Sequence, residues 1–108
     1  MEITKHAFER GKERLGFNKK ALERITNKAF QEGISHKDTK GKLHRYLTKL
    51  YFKDKFRAEN IRIYGDAIFI IQKKRLITIY NLPKEFRNTI KRIKKKNEKN
   101  NQTMDNER

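Results

Sequence analysis

Three side chains of the first helix that the sequence predicts could carry acid–base chemistry on a phosphodiester. His6, Arg10 and Arg14 are spaced at i, i+4 and i+8, so a helix places them on one ridge. The imidazole could accept or donate a proton near neutral pH, and the guanidinium groups could hold a phosphate and stabilise its developing charge. With RNA as the substrate, the ribose 2′-OH supplies the nucleophile. An exposed helix face whose arginines pair with Glu9 and Glu13 explains the same spacing equally well.

Two hydroxyl groups on a predicted strand form a second candidate. Over residues 76–80, alternation places Ile77 and Ile79 on one face of the strand and Thr78 and Tyr80 on the other. The two hydroxyls could bind a phosphate or orient a ribose. Thr and Tyr are also common strand residues, and this simpler explanation is favoured when the pattern is taken alone.

Metal and cofactor chemistry find little support in the sequence. His6, His36 and His44 have a spacing that matches no ligand pattern, and we interpret His36 and His44 as polar surface residues. There is no cysteine to form a thiolate site and no glycine-rich phosphate loop. We therefore expect neither a metal nor a small-molecule cofactor.

The charge of the chain indicates a polyanionic partner. The formal net charge is +16 over 108 residues, from 29 Lys and Arg against 13 Asp and Glu. The excess is not confined to the C-terminal end, so the folded body repels itself. A nucleic acid offsets this cost when its condensed counterions are released on binding. A highly soluble surface is the simpler alternative, but ordinary solubility needs only a few net charges.

Basic and aromatic residues alternate in the middle of the chain. This pattern suits binding to a nucleic-acid backbone combined with stacking on bases. Tyr46 is expected in the core, while Phe52 and Phe56 could belong either to the core or to a stacking surface. The candidate nucleic-acid-binding residues are Lys40, Lys42, Arg45, Lys49, Lys53, Lys55 and Arg57.

The elements that must position these residues follow from the periodicity. Helical spacing predicts helices at about 3–15, 19–32, 42–53 and 84–94, and strand-like segments cover 60–64, 67–71 and 76–80. The expected fold is α+β, with three N-terminal helices, a three-stranded antiparallel meander and a short C-terminal helix. We expect one compact domain over 1–94 and a disordered charged tail over 95–108. No segment is typical of a signal peptide or a membrane span, so the cytoplasm is the expected location.

Two segments resemble a known family. The helix His-Ala-Phe-Glu-Arg-Gly-Lys-Glu-Arg-Leu-Gly (6–16) and the strand Leu-Ile-Thr-Ile-Tyr-Asn-Leu-Pro (76–83) are similar to small domains of the barnase–EndoU–colicin–RelE superfamily. These are α+β ribonucleases, many of them found in toxin–antitoxin modules, polymorphic toxins and phages. The resemblance covers roughly 3–83. It implies RNA cleavage without a metal, through a 2′,3′-cyclic phosphate. His6 would be the general base or acid, Arg10 and Arg14 would hold the scissile phosphate, and Thr78 with Tyr80 would complete the site.

The leading hypothesis is an RNA-directed, metal-independent ribonuclease encoded by a phage or mobile element. The alternative is a non-catalytic protein that binds RNA or DNA, such as a phage inhibitor of a host nucleic-acid complex. A third class is an antitoxin or an assembly partner of an acidic protein. An antitoxin or a host protein is a possible further partner of the first two classes, and no membrane is expected.

Overall fold

The computed structural model describes the backbone of residues 1–53 and 60–106, and the side chains of 1–53 and 60–97. Three helices and two short strands occupy residues 1–53, and the longer strands follow. A 3₁₀ turn precedes the third helix and another precedes the fourth. The elements are β1 (Glu2–Ile3), α1 (Lys5–Leu15), α2 (Lys19–Glu32), β2 (Ile34–Ser35), a 3₁₀ turn (His36–Asp38), α3 (Gly41–Lys53), β3 (Asn60–Tyr64), β4 (Ala67–Gln72), β5 (Arg75–Asn81), a 3₁₀ turn (Lys84–Phe86) and α4 (Arg87–Asn106).

The prediction of a three-stranded antiparallel sheet was wrong. Within the described residues the sheet is mixed and has five strands, in the order β1-β5-β4-β3-β2. β1 pairs parallel to β5, with Ile3 opposite Leu76, and β2 pairs antiparallel to β3. Strands of two residues are too short to show alternation, and both form through pairing with residues distant in sequence. Local pattern therefore carries no signal for either of them.

The sheet has a buried cluster on each face. Phe69 and Ile71 of β4 lie in the cluster covered by α1 and α2, to which Ala7 and Leu22 contribute. The adjacent residues Ile68 and Ile70 lie in the cluster covered by α3 and α4, with Leu43, Leu47 and Ile90. A central strand buried on both faces requires the continuous apolar run that β4 has.

A bulge in β5 changes the side-chain directions expected there. Ile70 pairs with Thr78, but Ile71 pairs with Leu76, so Ile77 is an additional residue in the strand. Ile77 consequently packs against the α3 and α4 cluster, whereas Ile79 lies in the α1 and α2 cluster. The expectation that Ile77 and Ile79 share a face was therefore wrong.

Thr4 fixes the start of α1 against β5. Its hydroxyl accepts a hydrogen bond from the Ala7 amide (3.1 Å) and donates to the Leu76 carbonyl (2.9 Å). The same threonine thus caps the helix and attaches it to the sheet. As a result, the predicted ridge of α1 has a defined position along β5.

α4 is longer than the sequence indicates. It runs to Asn106, whereas the pattern predicts an end near residue 94 and disorder from residue 95. The segment contains no Gly or Pro to end a helix. None of the helices in the described part of the chain combines the length and apolar character that crossing a bilayer requires.

Candidate active site and nucleic-acid interface

The first part of the predicted ridge on α1 faces solvent. His6 is exposed in the first turn of the helix. Nη1 of Arg10 donates to Oε2 of Glu13 at 2.8 Å, where the side chains are 37% and 62% exposed, respectively. A pair of this kind contributes little to stability. These two residues therefore match the alternative interpretation of the ridge, a solvated helix face.

Arg14 differs, because it contacts the edge of the sheet. Its Nη1 donates to the Ile79 carbonyl at 2.6 Å, on the side of β5 where the pairing with β1 ends at Leu76. Its guanidinium carbon lies 4.9 Å from the centroid of the Tyr80 ring, and Nζ of Lys53 lies 5.4 Å from the same centroid. The structure thus brings together Arg14, Tyr80 and Lys53, which the sequence assigned to two different sites.

Thr78 does not join this group as predicted. It is buried, with only 3% exposure, and it lies beside its strand partner Ile70 of the α3 and α4 cluster. His6 lies about 12 Å from Arg14 along the helix axis. Of the predicted catalytic residues, the structure therefore brings together only Arg14 and Tyr80.

The predicted nucleic-acid-binding residues form an exposed basic ridge on α3. The members of this ridge, which we call the α3 ridge, follow helical spacing and are all exposed: Lys42, Arg45, Lys49, Phe52 and Lys53. Lys40 is exposed just before the helix, and Lys55 and Arg57 lie outside the described residues. In the described part of the chain, the ion pairs involve Arg10, Arg75 and Arg87 instead. The charge of the α3 ridge is therefore available to a ligand.

His36 and His44 are in direct contact. Their ring centroids are 4.4 Å apart, with the planes tilted by 34°, and both residues are partly buried. Nε2 of His36 lies 3.0 Å from Oγ1 of Thr48 and 3.3 Å from the His44 carbonyl. Nδ1 of His44 lies 3.3 Å from both Oγ1 of Thr39 and the His36 carbonyl. Each ring thus contacts the backbone of the other residue.

These contacts assign the tautomer of each ring. The hydroxyls of Thr48 and Thr39 already donate to the carbonyls of His44 (2.9 Å) and His36 (2.6 Å), so toward the rings they can only accept. Nε2 of His36 and Nδ1 of His44 must therefore carry the protons. The other nitrogens, Nδ1 of His36 and Nε2 of His44, make no hydrogen bond within the described residues and are available to a ligand.

Both rings line one open cavity. Its volume is about 370 Å³, and its wall includes Lys37 and Arg62 as well as the two histidines, together with Ser35, Asn60 and Ile61. Nε of Arg62 donates to the Phe30 carbonyl at 3.5 Å, and its guanidinium lies 5.7 Å from the centre of the Phe30 ring. We call this cavity the histidine pocket.

The pocket favours the neutral form of His36. Burial of the ring lowers the pKa of His36 below the ordinary value of 6.5, and the charge of the neighbouring His44 lowers it further. The hydrogen bond to the His44 carbonyl acts in the opposite direction and is the weakest of the three effects. A neutral imidazole in contact with a second imidazole is an arrangement suited to paired acid and base roles.

Sequence reasoning missed the histidine pocket because His36 and His44 belong to different elements. A 3₁₀ turn and a helix share no period, so residues eight positions apart across their junction carry no sign of contact. The available signal was the threonines: Thr39 and Thr48 flank the histidines at spacings that allow hydroxyl contacts to both rings. In the described residues, no group of three or more His, Cys, Asp or Glu is placed to hold a metal ion.

Comparisons with known proteins identify no relative of this chain. No protein-family model, curated protein or solved structure matches the chain.

Proposed function

We propose that this protein is a metal-independent ribonuclease in which His36 and His44 are the acid–base pair. The observation that carries the proposal is the contact between two imidazole rings whose remaining nitrogens, Nδ1 of His36 and Nε2 of His44, make no hydrogen bond within the described residues. One ring offers an unprotonated Nδ1 and the other an Nε2, and both rings line a cavity that also contains Lys37 and Arg62. Cleavage of RNA requires a base, an acid and positive charge at one phosphate.

The proposed reaction is a transphosphorylation within the RNA. The 2′-OH gives its proton to Nδ1 of His36, and the 2′-oxygen forms a bond to the adjacent phosphorus. The bond between phosphorus and the 5′-oxygen breaks, and that oxygen takes the proton from Nε2 of protonated His44. The products are a 2′,3′-cyclic phosphate and a 5′-hydroxyl. His36 ends protonated and His44 neutral, so hydrolysis of the cyclic phosphate restores both.

Lys37 and Arg62 supply the electrostatic part of the mechanism. Negative charge accumulates on the non-bridging oxygens as the 2′-oxygen attacks, and cations on the wall of the pocket stabilise that charge. The contacts of Arg62 with the carbonyl and ring of Phe30 limit the rotation of its guanidinium. A pre-oriented cation costs less reorganisation during the reaction than a free one.

Cleavage of a fluorescently labelled oligoribonucleotide in EDTA tests the proposal. His36→Ala and His44→Ala should each lower the rate by about 10²–10⁴-fold, the usual contribution of a general acid or base. A substrate with a 2′-deoxy sugar at the scissile position should remain intact. His6→Ala is the discriminating variant, because it should leave cleavage unchanged. Loss of cleavage in His6→Ala with retention in His44→Ala would assign the chemistry to α1 and refute the proposal.

Nucleic-acid binding without cleavage is a second candidate. The observation that favours it is the α3 ridge, which lies on a different side of the helix from His44 and carries its own charge. The same assay separates the two functions: RNA that shifts to a complex but stays intact in EDTA and in Mg²⁺ supports binding alone. We also propose, for either function, that the protein acts in the cytoplasm and is encoded by a phage or mobile element. An antitoxin or a host protein is the proposed protein partner.

A further inference from the structure

Phe52 combines an aromatic ring with a high exposure. It is 57% exposed, and among the described residues it is the one large hydrophobic side chain with such exposure. The ring of Tyr51 packs edge-on against it, with centroids 5.6 Å apart and planes at 72°. This contact supports the ring from one side. A single exposed aromatic side chain is not by itself a binding site, so the inference depends on what surrounds it.

Lys53, which follows Phe52, is one of two cations that contact the ring of Tyr80. Nζ of Lys53 and the guanidinium of Arg14 both lie within 5.4 Å of the Tyr80 centroid. Neither cation takes part in an ion pair within the described residues. Both contacts concentrate positive charge at the end of β5, which favours the binding of an anion there. The charge and geometry of this group therefore suit a phosphate.

The α3 ridge connects this group to more positive charge. Lys42, Arg45 and Lys49 precede Phe52 at spacings of three and four residues, and all are exposed. From Lys42 to Lys53 the ridge extends about 16 Å along the helix axis. A row of cations ending at an exposed aromatic ring has the form of surfaces that bind a single strand, with cations on its backbone and a ring stacked on a base.

We propose that the α3 ridge binds unpaired RNA, with one base stacked on Phe52 and the neighbouring phosphate bound by Lys53 and Arg14. This inference rests on the proposed function, because it assumes that RNA is the substrate, and it specifies which form of RNA is bound. A base in a duplex is stacked on both faces and cannot reach Phe52, whereas an unpaired base can. Single-stranded RNA is therefore bound in preference to a duplex.

Anisotropy of labelled 2′-O-methyl RNA tests the inference, because this RNA cannot be cleaved. Phe52→Ala should weaken binding of the single strand by about 5- to 100-fold, the usual loss for one base–aromatic stack. Phe52→Tyr should bind as the original protein does, because the ring remains. Binding to the same strand annealed to its complement should be weaker in the original protein and unaffected by either substitution.

The phosphate contact has its own measurement and a matched control. Lys53→Ala should reduce the slope of log affinity against log salt by roughly 0.7, the contribution of one phosphate on a single strand. Lys20→Ala removes the same charge from an exposed position on α2 and should leave the slope unchanged. An equal fall in both slopes would show that only net charge matters and would overturn the phosphate assignment.

The outcomes also separate this inference from the proposed function. If Phe52→Ala binds the single strand as tightly as the original protein while cleavage still depends on His44, the inference is wrong and the ribonuclease proposal remains. If Phe52→Ala loses affinity for duplex and single strand equally, the stacking role is wrong. If the original protein neither binds nor cleaves RNA, both are wrong.

Discussion

At the scale of single residues, two threonine hydroxyls determine the protonation pattern of the histidine pocket. Each hydroxyl donates its only proton to a carbonyl oxygen and can therefore only accept a hydrogen bond from an imidazole. Without Thr48, Nε2 of His36 would keep only the longer contact with the His44 carbonyl. Thr48→Val should therefore lower the rate of RNA cleavage by a smaller factor than His36→Ala, because the ring is present but less well fixed. Cleavage rates of the two variants check this order, with circular-dichroism spectra as a control for folding. A rate for Thr48→Val equal to that of the original protein would contradict it.

The lowered pKa of His36 predicts a pH dependence of stability. The folded protein holds His36 neutral, whereas the unfolded chain takes up a proton as the pH falls below about 6.5. Protonation then favours the unfolded state, so this contribution to the free energy of unfolding is complete above 6.5 and is lost as the pH falls toward the lower folded value. The charged and titratable side chains that line the pocket with the ring are His44, Lys37 and Arg62.

Urea denaturation between about pH 5 and pH 8 measures this effect. His36→Gln should have a shallower fall in stability below about pH 6.5 than the original protein, because its side chain does not titrate. The difference between the two curves then reports the titration of His36 together with its electrostatic coupling to His44. Parallel curves would show that His36 has the same pKa in the folded and unfolded states.

The residues of the candidate sites were only partly predictable from the sequence. The exposed cations of α3 follow from helical spacing, which is a local property, and Arg14 was selected for its position on α1. The contact of Arg14 with the Ile79 carbonyl depends on where β1 stops pairing with β5, which no local pattern records. His36 and His44 meet because a 3₁₀ turn folds back on α3, and that contact is also not local.

At the scale of elements, the long segments follow the sequence and the short ones follow the tertiary structure. The helix over 19–32 and the strand over 60–64 lie where the periodicity places them, because each buries a continuous face. β1 and β2 contain two residues each and form only after β5 and β3 provide an edge. The bulge at Ile77 likewise reflects pairing with β4 and not the sequence of β5 alone.

The junction between α2 and β2 depends on a glycine. A Cβ on Gly33 would lie 2.4 Å from the Ala29 carbonyl oxygen and 3.1 Å from that of Ile63, and both are backbone atoms. Gly33→Ala should therefore move the end of α2 away from β3 and lower the free energy of unfolding by about 1–3 kcal/mol. Chemical denaturation measures the change.

Gly11 provides a matched control for this substitution. A Cβ there meets only the side chain of Leu22, at 3.0 and 3.3 Å, and the residue lies within a helix, where Ala is favoured over Gly by about 1 kcal/mol. Gly11→Ala should consequently change stability by less than Gly33→Ala. The reverse order would mean that the packing of α1 on α2 is less adaptable than the α2–β2 junction.

The end of α4 should be separable from the folded domain. Among the described side chains of α4, which end at residue 97, Ile90 and Ile93 pack against the core. Residues 98–108 contain a single apolar side chain, Met104, and a helical segment with so little apolar surface adds little stability. Deleting residues 98–108 should therefore change the free energy of unfolding by less than about 0.5 kcal/mol in urea denaturation. A larger loss would show that the end of α4 belongs to the core, against the domain boundary expected near residue 94.

At the scale of the whole molecule, a net charge of +16 on a single small domain has to be reconciled with stability. The ion pairs in the described residues are exposed and compensate little of this charge. Self-repulsion therefore lowers the stability of the free protein, and a bound polyanion raises it. The two clusters on the sheet faces must provide the stability that the charges oppose.

The same charge predicts how binding and cleavage respond to salt. If the single strand contacts Arg14 and the four cations of the α3 ridge, the slope of log affinity against log salt should be roughly −3.5, at about −0.7 for each phosphate. In the proposed mechanism the chemical step involves the histidine pocket and not that ridge, so the cleavage rate at saturating RNA should change little over the same range. Single-turnover cleavage at two RNA concentrations measures both quantities. A slope near zero would mean that the positive surface does not bind RNA. If the cleavage rate at saturating RNA falls with salt as steeply as the affinity does, the α3 ridge and the histidine pocket are not separate sites.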